Sequence, residues 1–174
     1  MGERRMKGTV TLENGQVIEI EINEKQLAQM QTKKKTGYER VNAGEKYYYV
    51  FGVDNKLNCV TEKYINIDHI TYVIGNYYSD KTIAENNTRA DTLLRQLRRF
   101  AVENRKEKLN WKDMDKNRYK ITYDHDREKL GVDQNEFIQN FGAIYFDTKG
   151  TAQEALEKFK DELIWYFTEY KDSL

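Results

Sequence analysis

Twice along this chain an aromatic pair runs directly into polar helix-capping residues and then into a long amphipathic stretch. Laid over each other without a gap, "NYYSDKTIAE" and "IYFDTKGTAQ" match Tyr77 with Tyr145, Tyr78 with Phe146, Lys81 with Lys149 and Ala84 with Ala152. Ser79 or Asp80 in the first, and Thr148 in the second, carry oxygens suited to the orphan N–H groups of a first helical turn. After the first cap, Ile83, Asn87, Ala90, Leu94, Leu97 and Ala101 recur at spacings of 4, 3, 4, 3 and 4, apolar throughout except at Asn87. That period predicts one helix over 81–104 with a single buried face. Ala152, Leu156, Phe159, Leu163 and Phe167 predict a second stripe of the same kind. Inside the helices the match fades, with Leu94 opposite Glu162, so duplication and a merely shared β-to-α junction both stay open.

Upstream of each helix the period changes from helical to alternating. "YYYVF", a polar turn at Asp54-Asn55 and "LNCVT" read as a hairpin, and "ITYVIGNYYS" as a third strand near 71–78. "NRYKITYDHDREKLGVDQ" and "FGAIYFD" repeat the scheme before the second helix. At the start of the chain, Asn14-Gly15 between alternating runs predicts a two-residue hairpin turn, followed by a short helix from Asn23 to Lys35. The expected fold is therefore α+β: an N-terminal β-hairpin plus helix over 1–36, then two βββα units over 37–108 and 109–174. Antiparallel sheets would pack on the long helices, and the polar connector "RKEKLNWKDMDKN" would separate the units.

Composition narrows the classes. The chain has 174 residues, enough for a core without disulfide or metal staples. A third of the residues are charged, yet 29 basic residues balance 29 acidic ones. Wholesale nucleic-acid mimicry calls for an acidic excess and a general nucleic-acid coat for a basic one, so electrostatic function here has to be local. One cysteine, Cys59, makes no internal disulfide and suits a reducing compartment. With no signal-peptide core and no long apolar run, the expectation is a soluble cytoplasmic protein that does not enter membranes.

Motifs that name a reaction are absent, and the expectation is a protein without catalytic residues, cofactor or metal. "DHD" at Asp124–Asp126 reads as a polar hairpin tip, because its spacing does not converge three ligands on one ion. Cys59, on an apolar strand, reads as a small buried thiol.

The local charge is in "LLRQLRRFAVENRK", where Arg95, Arg98, Arg99, Arg105 and Lys106 crowd fourteen residues. One reading is an ordinary solvated face paired with Glu103 and Glu107. The other is a docking surface, since arginine dominates here although lysine dominates elsewhere, and guanidinium groups fork onto phosphate or carboxylate. Arg98 and Arg105, seven apart, should project together. Tyr47 and Tyr49 in "EKYYYVF" and Trp111 in the connector are the aromatic candidates for a contact surface, with core packing and a junction plug as their respective alternatives.

As a whole, "TGYERVNAGEKYYYV", "GNYYSDKTIAENNTRADTLLRQLRRFA" and "GAIYFDTKGTAQEALEKFKDELI" resemble small accessory proteins encoded by phages and prophages of Gram-positive bacteria. The resemblance runs from about Thr36 to the C-terminus. Some of these proteins are similar to type II-A anti-CRISPR proteins, which bind and inhibit the CRISPR effector nuclease. The resemblance implies a non-enzymatic inhibitor whose partner is the effector nuclease with its guide RNA, and it transfers no active-site residue. Exposed tyrosines and an uncovered strand edge would permit a homodimer without requiring one, so monomer and homodimer both stay open. Direct DNA contact by a nucleic-acid-binding accessory protein, and capture of a nucleotide signal in a pocket between the two units, are the alternatives.

Overall fold

The computed structural model describes residues 5–12, 15–23, 35–52, 56–113, 116–135 and 138–170. The fold is α+β, with three two-stranded antiparallel sheets and four α-helices among the described residues. The chain divides into two compact units, Met1–Glu39 and Arg40–Leu174.

In the first unit β1 (Arg5–Thr11) pairs with β2 (Val17–Asn23), Thr11 lying opposite Val17. Leu12 N–H donates to Gln16 O at 2.7 Å and Gly15 N–H to Leu12 O at 2.9 Å. Gly15 has a φ of 83°, which glycine adopts without Cβ strain. Asn14, the other residue of the expected turn, lies outside the described residues. Asn23 ends β2, and the short helix expected after it falls at 24–34, outside the described residues.

The second unit begins with β3 (Lys46–Phe51) and β4 (Lys56–Thr61), paired with Tyr48 opposite Cys59. Two helices follow, α1 (Asn66–Val73) and α2 (Lys81–Glu103). A second hairpin, β5 (Arg118–Asp124) with β6 (Lys129–Asn135), leads to α3 (Lys149–Lys158) and α4 (Lys160–Trp165). One π-helical turn, Tyr166–Tyr170, closes the described chain.

Neither expected third strand forms as such. The β-branched run around Thr71 belongs to α1. Asp68 in its first turn accepts from Ile65 N–H at 3.2 Å, and the helix stops in a Schellman arrangement. There Asn76 N–H donates to Thr71 O, Gly75 N–H to Tyr72 O, and Gly75 sits at φ 74°. All that remains of the strand is one residue, Tyr78, which exchanges both backbone hydrogen bonds with Tyr48. Phe146 does the same with Tyr119 in place of the strand expected in "FGAIYFD". The aligned junction residues nonetheless occupy matching places. Tyr77 and Tyr145 are buried, Tyr78 and Phe146 make the bridges, Asp80 and Thr148 cap, and Ala84 and Ala152 are fully buried.

Segments 37–108 and 109–174 share a core. Leu93, Leu97 and Ala101 of α2 pack with Phe146, Ala152, Ala155 and Leu163, and Tyr119, Ile121, Leu130 and Val132 of the second hairpin close over them. The buried arc of α2 is turned from the expected one. Leu93 is buried and Leu94 only half-buried, because α2 meets both the β3–β4 hairpin and α3. In the second stripe Ala155 displaces Leu156, and the helix breaks at Phe159 (φ −112°, ψ 19°) before continuing as α4. Cys59 is exposed, against the expectation of a buried thiol, since a two-stranded sheet only partly covered by α2 leaves this side chain open. No helix among the described residues is long and apolar enough to cross a membrane.

Candidate functional site

The candidate interface is the outward side of α2. Asp80 opens the helix by accepting from Ile83 N–H at 3.0 Å, and Leu93, Leu97 and Ala101 hold its inner face in the core. The helical period then forces Arg95, Arg98 and Arg99 outward, together with Val102, and all four are exposed. Arg99 approaches Glu103 at 3.9 Å, a surface pair one turn apart that holds the guanidinium loosely. Arg95 donates to Thr92 Oγ1 at 3.3 Å.

Arg89, six residues before Arg95 and on another face, shows what an internally committed arginine looks like here. It forks onto Glu162 at 2.8 and 3.0 Å, and its guanidinium lies 3.9 Å from the Trp165 ring centroid. Its hydrogen bonds to the Glu162 carboxylate raise its pKa above the ordinary arginine value.

The remaining sequence candidates divide. Arg105 does not extend the ridge alongside Arg98, because α2 ends at Glu103 and Arg105 turns half inward, its Nε buried. Lys106 keeps an exposed side chain, while its backbone N–H and that of Glu107 donate to Asp147 Oδ2 at 2.7 and 3.1 Å. Tyr47 is a core residue and offers no surface, since strand alternation aims it inward onto Tyr77 at 4.0 Å between centroids. Tyr49 is half-buried beside Phe51. Trp111 plugs the connector, edge-on to Tyr145 at 4.9 Å.

Two buried polar assemblies escaped the sequence reading. In the first, Glu62 is fully buried and accepts from Arg40, from the Tyr77 hydroxyl at 2.8 Å and from Tyr64 N–H at 2.7 Å. Beside it Asp68 accepts from the Tyr47 hydroxyl at 2.8 Å and from Lys63 N–H at 2.9 Å. Burial drives both tyrosine hydroxyls well above their ordinary pKa, and the neighbouring carboxylates add to it. Burial also pushes Asp68 upward, but the Lys63 N–H, the Tyr47 hydroxyl and the Ile65 N–H outweigh it and leave its pKa lowered.

In the second, Arg118 is fully buried at the start of β5 and donates to the carbonyls of Asn110, Asp113 and Lys116. Its guanidinium lies 4.8 Å from the Trp111 ring centroid. One side chain thus gathers the backbone of the polar connector. The available signal was an arginine at an inward strand position, and nothing in the local sequence tells an inward one from an outward one.

Elsewhere the chemistry is spent on turns. Asp124 accepts from the N–H groups of Asp126 and Arg127, fixing the "DHD" hairpin tip. No group of three or more His, Cys, Asp or Glu among the described residues is placed to hold a metal ion. A cleft of about 400 Å³ near Lys106 is lined by Lys108, Lys116 and Lys149, but Glu107 pairs with Lys116 there and Asp147 also lines it. That neutralisation makes it a weaker anion site than its lysines alone suggest. Comparisons with protein-family models, curated proteins and solved structures found no match to this chain.

Proposed function

We propose that this chain is a phage-encoded inhibitor of a bacterial defence nuclease, an RNA-guided type II effector, and that it acts by binding and not by catalysis. The observation that carries this reading is the arginine ridge of α2. Arg95, Arg98 and Arg99 stand exposed on a helix whose other face is locked in the core. A rigid helix offers these groups in a fixed geometry, and arginine loses little on desolvation when it meets a carboxylate or phosphate. The sequence resemblance supplies the class of partner.

Such an effector reads a short duplex motif and holds its heteroduplex in a positively charged channel. A chain of zero net charge is a poor mimic of the nucleic acid in that channel. The ridge suits instead an acidic protein surface, or nucleic acid already seated on the effector.

The test is co-purification with an effector–guide complex, together with a target-cleavage assay. Association and lost cleavage are expected, with both weakened at least about tenfold, roughly 1.4 kcal/mol, by Arg95→Glu, Arg98→Glu and Arg99→Glu combined. No association, with cleavage unchanged at large molar excess, removes the proposal. Binding to free duplex DNA whose log affinity falls by roughly 0.9 per neutralised phosphate with log salt would assign the ridge to nucleic acid directly.

A further inference from the structure

Helix α1 is amphipathic the wrong way round. Its inward residues are polar, Asp68 at 3% exposure and Thr71 at 6%, whereas Ile67, Ile70, Val73 and Ile74 are 59%, 45%, 67% and 67% exposed. These four lie at i, i+3, i+6 and i+7, one stripe along the helix. The inversion has a visible cause. Asp68 is tied inward by the Tyr47 hydroxyl and two backbone N–H groups, while Thr71 Oγ1 satisfies itself within the helix on Ile67 O at 2.7 Å and so tolerates burial. Hydrogen bonds, and not apolar burial, orient this helix, so its isoleucines face out.

With Tyr64 and Ile65, also exposed, the stripe presents on the order of 600–700 Å² of mainly apolar surface. The largest such patch on a typical monomer is roughly 300–600 Å². The isoleucine–valine stripe carries no charged residue of its own in a chain that is one-third charged, and the Arg40 guanidinium, 4.9 Å from the Tyr64 ring centroid, is paired with Glu62. Between Tyr64 and Asn76 there is no Lys or Arg, and the single carboxylate, Asp68, points inward.

We propose that this face is covered by the same face of a second copy, making a two-fold dimer through paired α1 helices. An isologous contact sets the patch against itself, residue i on residue j and j on i, with like residues meeting only at the two-fold axis, and a stripe with no charge of its own meets its copy without like-charge repulsion. Two such patches would bury roughly 1,200–1,400 Å² in total, within the range of stable interfaces. Opposed stripes of branched side chains interlock as ridges in grooves. This dimer does not depend on the arginine ridge or on the nuclease as partner.

The test is sedimentation equilibrium of the full chain at micromolar concentration. A mass twice the 20.8 kDa of one chain is expected, falling to the single-chain mass in the Ile70→Glu, Val73→Glu variant. Both positions are exposed, so circular dichroism and the melting temperature should stay unchanged. A native chain that is monomeric throughout, or a dimer that survives the substitution, overturns the proposal. Should the glutamates prevent folding, Ile70→Cys in a Cys59→Ser background decides, because the proposed two-fold axis passes through the middle of the stripe, beside position 70. Disulfide-linked dimers at position 70, and none with Val102→Cys in the same background, support the pairing. Equal cross-linking at both positions, or none at 70, rejects it.

Discussion

Tyr47 lies flat on Tyr77, ring centroids 4.0 Å apart and planes 14° from parallel, while their hydroxyls run to different buried carboxylates, Asp68 and Glu62. One tyrosine comes from β3 and the other from the loop before α2, so the stacked pair joins the first hairpin to the main helix. Each ring adds apolar contact, and each hydroxyl gives one more donor to a buried carboxylate that Arg40 or backbone N–H groups also hold.

Removing one hydroxyl should therefore cost more than a surface change of the same size. The Tyr77 hydroxyl donates to Glu62 and accepts from Val41 N–H at 3.2 Å, so Tyr77→Phe leaves the buried Glu62 and the half-buried Val41 N–H each short of a partner. A loss of about 1–3 kcal/mol is expected in urea unfolding. Tyr49→Phe, made on the half-buried neighbour, should lose less than about 0.5 kcal/mol.

Asp68 gives the stability a pH dependence of known sign. Its folded pKa is lowered, while the unfolded value lies near about 3.9. Between the two the unfolded chain holds more protons, so the contribution of Asp68 is complete above the unfolded value and disappears as pH falls through the folded one. Urea midpoints from neutral pH to below pH ~3 should fall more steeply for the native chain than for Asp68→Asn. Parallel curves would refute this assignment.

Arg89 and Arg99 offer a matched comparison on one helix. Arg89→Ala removes a forked ion pair and an indole contact, and should destabilise by about 1 kcal/mol. Arg99→Ala loosens one surface pair and should leave the thermal midpoint unchanged, while the partner affinity falls.

Arg118 should behave as the clasp of the connector. Arg118→Met retains the bulk and removes the donors to Asn110, Asp113 and Lys116. Faster tryptic cleavage at Lys108 and Lys112 is expected, with Arg118→Lys only a partial rescue because one ammonium cannot reproduce the fork. Cleavage no faster than native would show that the connector is held by something else.

Gly75 isolates a backbone effect. An added Cβ would meet nothing within 4 Å, yet φ is 74°, a conformation that resists side chains. Gly75→Ala should cost about 1 kcal/mol through strain alone, measured as a lowered melting temperature.

What sequence alone determined is what neighbouring residues decide between themselves. Asp80 and Thr148 cap because a short oxygen-bearing side chain meets free N–H groups one turn on, and the two hairpins follow from alternation broken by turns. The helical period likewise sends Arg95, Arg98 and Arg99 to one side once the leucines are buried. Tertiary structure decided whatever required a partner distant along the chain. Thr71 to Val73 read as strand until Asp68, tied to Tyr47 twenty-one residues earlier, drew the segment into a helix with its isoleucines outward. Tyr47 became a core residue because Asp68, twenty-one residues on, met its hydroxyl, and Arg118 because the connector folds back to bring three carbonyls to its guanidinium. Local period records which face is apolar, but only the packed chain decides which face is inside.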